Sequence, residues 1–136
     1  SHLLRGLMYK IGSIVELESA TYELKHPKTG EGLGVIFTLA GPSHAVRQSL
    51  QSARVARAQK VFQRDGRVDL PSFEEQAEQR IEDAVSSVLG WTGADREYSP
   101  AEARKWFSDP REGWVVRQLT EALAEQTRFI EDSALV

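Results

Sequence analysis

The sequence predicts a mainly α fold: a compact helical domain of three to four helices with a small N-terminal antiparallel β hairpin. Two observations carry that expectation. Three stretches open with the same helix-starting chemistry, at Ser72, Ser99 and Asp109, each followed by apolar residues every three or four positions. Period-two alternation, by contrast, is confined to the residues before Gly41.

Bulk composition agrees with one soluble globular unit. The chain has 136 residues, 40% of them hydrophobic and 27% charged, enough for a core and too apolar for a disordered chain. A formal charge of −3 argues for neither a membrane surface nor nucleic acid. Gly32 to Val46 is the longest run free of charge, and it is too short and too glycine-broken to span a bilayer. Cys is absent, so disulfides and thiolate metal sites are excluded. Met8 is the sole methionine; residues 1–7 read as a vector-derived leader and 8–136 as a single domain. Within it, 9–42 forms a β-rich arm and hairpin, and 43–131 the helical part.

Ser13 to Glu18 is rich in β-branched residues and reads as a strand or extended arm. Tyr22, Leu24 and His26 alternate with Glu23 and Lys25, as a strand with one face covered requires. Pro27 to Gly34 carries turn residues, and Val35 to Leu39 is a second β-prone run. A hairpin alone is marginal in water, so a third strand or a helix must cover this one. The glycines lack the phosphate-loop and dinucleotide spacings, and they read as turn geometry.

Gly41-Pro42-Ser43 starts a helix running to about Arg64, with Val46, Leu50, Ala53, Ala58, Val61 and Phe62 facing inward. Arg47, Arg54, Arg57, Lys60 and Arg64 lie in it, with no acid before Asp65. Such a face can meet nucleic acid, a membrane surface or an acidic protein surface. Aromatics do not interleave with these cations, and the chain is acidic overall, which disfavours nucleic acid. Asp65-Gly66-Arg67 then turns the chain.

Ser72 and Glu75 form a capping box, satisfying backbone N–H groups at the next helix start. Behind them Phe73, Ala77, Ile81, Ala84, Val85, Val88 and Leu89 make one apolar stripe, Gly90 supplies the stop, and Trp91 must dock nearby. Glu74, Glu75, Glu78, Glu82 and Asp83 occupy the outer face against Arg80. The basic helix and this acidic one are therefore expected to pair. Whether they do so within a subunit or between subunits, the sequence does not choose.

Ser99-Pro100-Ala101-Glu102 repeats the cap with Pro at the first helical position. A short helix carries Trp106 and Phe107 and halts at Ser108. From Asp109-Pro110 a longer one runs to about Glu131, with Val115, Leu119, Ala122, Leu123 and Ile130 on one face. Asp132 to Val136 lack a cap and are expected to fray. Whether Trp106 and Trp114 are core or interface residues stays open.

The chain carries no recognisable reaction chemistry. His2, His26 and His44 have no carboxylate at motif spacing, no Ser sits in a nucleophile elbow, and the Glu pairs lie on a solvated helix face. No catalytic, cofactor-binding or metal-ligating residue is nominated, no cofactor is called for, and an enzyme is not expected.

Read together, Trp91-Thr92-Gly93 and Tyr98-Ser99-Pro100-Ala101-Glu102-Ala103-Arg104 bring a family into view. The chain resembles the tail assembly chaperones of long-tailed bacteriophages, counterparts of the lambda G protein. The resemblance begins at Tyr22-Glu23-Leu24-Lys25-His26-Pro27 and continues through the glycine-rich turn and Val35-Ile36-Phe37-Thr38-Leu39-Ala40-Gly41-Pro42. An Arg-rich helix, a Glu-rich helix ending in Trp-x-Gly, a Ser-initiated short helix and a last helix ending near Phe129 complete it. Ala101-Glu102 departs from the Glu-Asn often found there, although Glu102 could still close the box on Ser99.

The resemblance implies a non-enzymatic factor of the host bacterial cytoplasm, missing from the finished virion. It would self-associate, bind the tape measure protein to keep it soluble, and help recruit the major tail tube protein. Arg47, Arg54, Arg57, Lys60, Glu74, Glu75, Glu78 and Glu82 are the candidate interface residues, with Trp91, Gly93, Ser99 and Glu102 as a structural motif. The alternatives are a nucleic-acid-binding module using the basic helix 43–64 and a structural tail protein retained in the virion.

Overall fold

A computed structural model of the chain describes residues 8–68 and 70–132. The leader expected at 1–7 lies outside the described residues, as do residues 133–136 of the stretch expected to fray.

Strands β1 (Ile14–Glu16), β2 (Ser19–Lys25) and β3 (Gly32–Ala40) come first, then helices α1 (Ala45–Asp65) and α2 (Phe73–Ser87). Strand β4 (Val88–Thr92) follows α2 directly, then α3 (Pro100–Phe107), α4 (Gly113–Ala124) and β5 (Ile130–Asp132). Short 3-10 turns at Pro110–Glu112 and Gln126–Phe129 flank α4.

The fold is mixed α and β, which corrects the mainly α expectation. Among the described residues the strands form two sheets, a three-stranded antiparallel one in the order β2-β3-β4 and a β1-β5 ribbon. The error lies at Val88 to Trp91. Val88 and Leu89 continue the apolar spacing of α2, but the helix ends at Ser87 and they enter a strand. Gly90 therefore sits opposite Thr38 in the ladder and caps nothing. This strand is the third one the hairpin needed. The second departure is Ile130, which lies in β5 instead of on the α4 face; Asp132, expected to fray, pairs with Ile14. Glycine-free β-branched and apolar residues at a helix end are as compatible with a strand as with another turn, and packing decides.

One row across the three-stranded sheet explains where the core sits. Tyr22, Phe37 and Trp91 stand opposite one another on successive strands, so their rings share a face. Phe37 is fully buried, with Trp106 5.6 Å and Phe107 6.3 Å from its ring centre. The same cluster takes in Ala84 from the end of α2, Val88 from the start of β4, Ala103 and Phe107 from α3, and Val115, Val116, Leu119, Ala122 and Leu123 from α4. Helices α2, α3 and α4 pack on one another over this face. Gln118 of α4 also closes the outer edge of β2: its amide accepts from the Lys25 N–H at 3.1 Å and donates to the Lys25 carbonyl at 2.8 Å.

Gly93, just past β4, has φ of 87° and lies so close to the Gly34 carbonyl that a Cβ would overlap it. Only glycine meets both conditions. That joins the first residues of β3 to the start of the segment carrying α3.

Candidate functional site

α1 stands apart from the core just described. Over 21 residues it buries no side chain. Of the six residues expected to face inward, Val46, Leu50 and Val61 are half-buried, while Ala53, Ala58 and Phe62 are exposed. The periodicity is present, but the packing on it is thin: α2 is the main neighbour of α1, and none of these side chains is fully covered. Helices α1 and α2 form a two-helix arm whose base rests on the body and whose tip does not. At that tip Phe62, Val68, Leu70 and Phe73 are 58%, 71%, 81% and 81% exposed. Phe73, expected on the covered stripe, is among the most exposed because it precedes the part of α2 that meets α3 and α4.

The predicted charges separate into tied and open groups. Arg47 is held at the base, where its Nη1 donates to the Ala40 carbonyl at 3.2 Å and its guanidinium lies 5.9 Å over the Phe129 ring. Burial lowers its pKa, against the pull of Asp83 and Glu16. Arg54 Nη2 meets Asp83 Oδ1 at 2.6 Å, so the basic and acidic helices pair within one subunit at this point. Glu82 turns the other way, to Arg104 of α3 at 2.8 Å. The two placements correct the assignment of Asp83 and Glu82 to a free outer face. Lys60, Glu74 and Glu78 are exposed, and Arg57 lies near enough to Glu75 to stabilise its carboxylate.

The capping chemistry is as expected at one start and half so at the other. Ser72 Oγ accepts from the Glu75 N–H at 3.1 Å, and Glu75 Oε1 accepts from the Ser72 N–H at 3.0 Å. Those bonds hold the Glu75 carboxyl below its ordinary pKa. Ser99 Oγ accepts from the Glu102 N–H at 3.0 Å, but the Glu102 carboxylate takes Arg96 at 3.3 Å instead of closing the box. His44 caps α1 through Nδ1, which accepts from Val46 N–H at 3.1 Å, and His26 Nδ1 accepts from two amides of the turn after β2.

Two grooves follow from this arrangement. The first runs between α1 and α2, with a volume of about 510 Å3. Leu50, Ala53, Ala58 and Pro71 floor it; Arg54 and Arg57 line one side, and Glu75, Glu78 and Glu82 the other. The second, of about 650 Å3, lies at the body, where Trp91, Trp106 and Trp114 wall it with Leu24, Leu33 and Val35. The chain matches no protein-family model, no curated protein and no solved structure.

In the body groove the Glu112 carboxylate is clamped by two indoles. Trp106 Nε1–H donates to Oε1 at 3.1 Å, and Trp114 Nε1–H to Oε2 at 3.0 Å. Both rings are half-buried, so the question of core or interface has a mixed answer. Of the other acids here, Glu102 pairs with Arg96, and Asp109 pairs with Arg111 at 3.1 Å. Arg111 holds the Asp109 carboxyl below its usual range. Glu112 was missed by sequence reasoning. The signal was the Trp-x5-Glu-x-Trp spacing of Trp106, Glu112 and Trp114, where the 3-10 turn folds the acid between the rings.

No group of three or more His, Asp or Glu side chains among the described residues converges as a metal site. No helix among them is long and apolar enough to cross a membrane.

Proposed function

We propose that this chain is a tail assembly chaperone of a long-tailed bacteriophage, acting in the host cytoplasm and left out of the finished virion. It self-associates, binds the tape measure protein to keep it soluble, and helps recruit tail tube protein around it. One observation carries the reading: the α1–α2 groove, an apolar floor between a cationic rim and an anionic one. An amphipathic client helix, with acids on one flank of its stripe and bases on the other, fits that surface. Individual contacts of this kind are weak, and many copies along one elongated client would add avidity.

The nucleic-acid alternative is the poorer fit. Arg54 is engaged by Asp83, Arg47 by the Ala40 carbonyl, and Glu75 and Glu78 share the groove with Arg57. A phosphate backbone would meet repulsion from one rim.

The test is co-expression with a tape measure protein, reading the soluble fraction and co-purification. Ala53→Glu and Ala58→Glu change exposed groove-floor residues and leave the core alone. The expected outcome is a soluble client with the native chain and an insoluble one with the double variant. A client equally insoluble with and without the chain overturns the proposal. Salt-steep binding of duplex or single-stranded DNA would favour the alternative.

A further inference from the structure

We infer that the chain self-associates head to tail, the apolar tip of one arm seating in the tryptophan groove of the next copy. This deepens the self-association in the function proposed above and rests on that part of it alone. The two surfaces match in chemistry. The tip offers Phe62 and Phe73 beside Arg64 and Arg67, and those two cations share Asp65, at 3.1 and 3.9 Å. The groove offers the half-buried rings of Trp106 and Trp114, whose N–H groups hold the Glu112 carboxylate, while Trp91 is buried among Phe37, Tyr98 and Trp106. Glu102 and Asp109 are paired with Arg96 and Arg111, and Asp95 and Lys105 also line it. A guanidinium set over indole faces and against a carboxylate is favoured by both cation–π attraction and charge-assisted hydrogen bonding. The phenyl rings beside it would cover Leu33 and Val35, which line the groove mouth.

The tip cannot serve its own groove. Phe73 and Ser87 mark the ends of a continuous helix, a span of about 21 Å at 1.5 Å per residue. Trp91 lies beyond the far end. The occupant must come from another molecule, and a second copy supplies apolar and cationic groups together. Because tip and groove are different patches, the contact is heterologous: every copy uses one of each, and growth continues unless a ring closes.

The experiment measures molar mass by light scattering over a concentration series, using the full chain. A tip variant, Phe62→Asp with Phe73→Asp, and a groove variant, Leu33→Asp, each alter exposed residues; circular dichroism checks that both fold. The native chain should grow past a dimer with concentration. Either variant alone should associate at least about tenfold more weakly, the loss expected when an interface anchor is removed. An equimolar mixture should form a one-to-one dimer and stop, since only one intact tip and one intact groove remain to meet. Glu112→Gln, which retains a side-chain acceptor for each indole only in part and removes the charge, should weaken association and flatten its salt dependence. A native chain that stays monomeric, a groove variant that still self-associates, or a mixture that stays monomeric overturns the inference. The groove variant is also tested for client rescue: rescue by a chain that no longer self-associates separates this interface from the client groove. Normal self-association with lost rescue would give the tryptophan groove to the client and overturn the inference too.

Discussion

Arg54 of α1 donates to Asp83 of α2 across 2.6 Å, and it makes this contact from a helix that buries none of its own side chains. Both partners remain partly open to water, 40% and 37% exposed as side chains, so screening limits what the pair contributes. Arg54→Ala should therefore lower global stability by less than about 1 kcal/mol. Its local effect should be larger: hydrogen exchange of α1 amides should quicken while exchange in β3 and α4 stays as it was. Equal acceleration throughout would mean that α1 is not a separately opening unit.

Ser72→Ala removes the acceptor for the Glu75 N–H and should cost about 1 kcal/mol, read by urea unfolding. The Glu75 carboxyl, with its pKa depressed in the folded state, adds a pH signature. Its contribution is fully present above the unfolded value of about 4.3 and is lost as pH falls through the lower folded value. Glu75→Gln should flatten that part of the stability profile between roughly pH 4.3 and the folded value below it. An unchanged profile would assign the acid sensitivity to other carboxylates.

Phe37→Ala opens a cavity at the middle of the aromatic row and should cost about 3–5 kcal/mol, read as a fall in melting temperature. The near-ultraviolet circular dichroism should collapse with it, because Phe37 lies against both Trp91 and Trp106. A loss below about 1 kcal/mol would show that the cluster repacks around the gap.

Gly93→Ala places a methyl against the Gly34 carbonyl in a left-handed backbone. The cost should exceed about 1 kcal/mol. Gly90→Ala is the control, since a Cβ there meets open space, and its effect should be small.

Much of the fold was legible because local chemistry and packing agree. Ser72 and Ser99 cap the helix starts expected of them, Asp109 caps only the 3-10 turn before α4, and the hairpin from Ser19 to Ala40 follows its alternation. The mistakes fall where two local patterns fit equally well. Val88 and Leu89 satisfy both a helical stripe and a strand, and the need of β3 for a partner decides between them. Phe62 and Phe73 satisfy an amphipathic pattern whose partner surface the described residues do not provide. The charge segregation was visible, but its pairing was not, because Asp83 and Glu82 are neighbours in sequence that serve different helices, α1 and α3. Glu112 was invisible for a related reason: a carboxylate between indoles depends on a 3-10 turn that no periodicity announces.

An arm whose outer end takes no part in the core can change length there without disturbing it. Matching seven-residue insertions in both of its rods would push the outer end away by about 10 Å while every buried layer kept its neighbours. Descendants of this chain could thus reset the spacing between successive molecules on a filament through indels alone, as one adjusts the pitch of a screw by its thread and not its shaft.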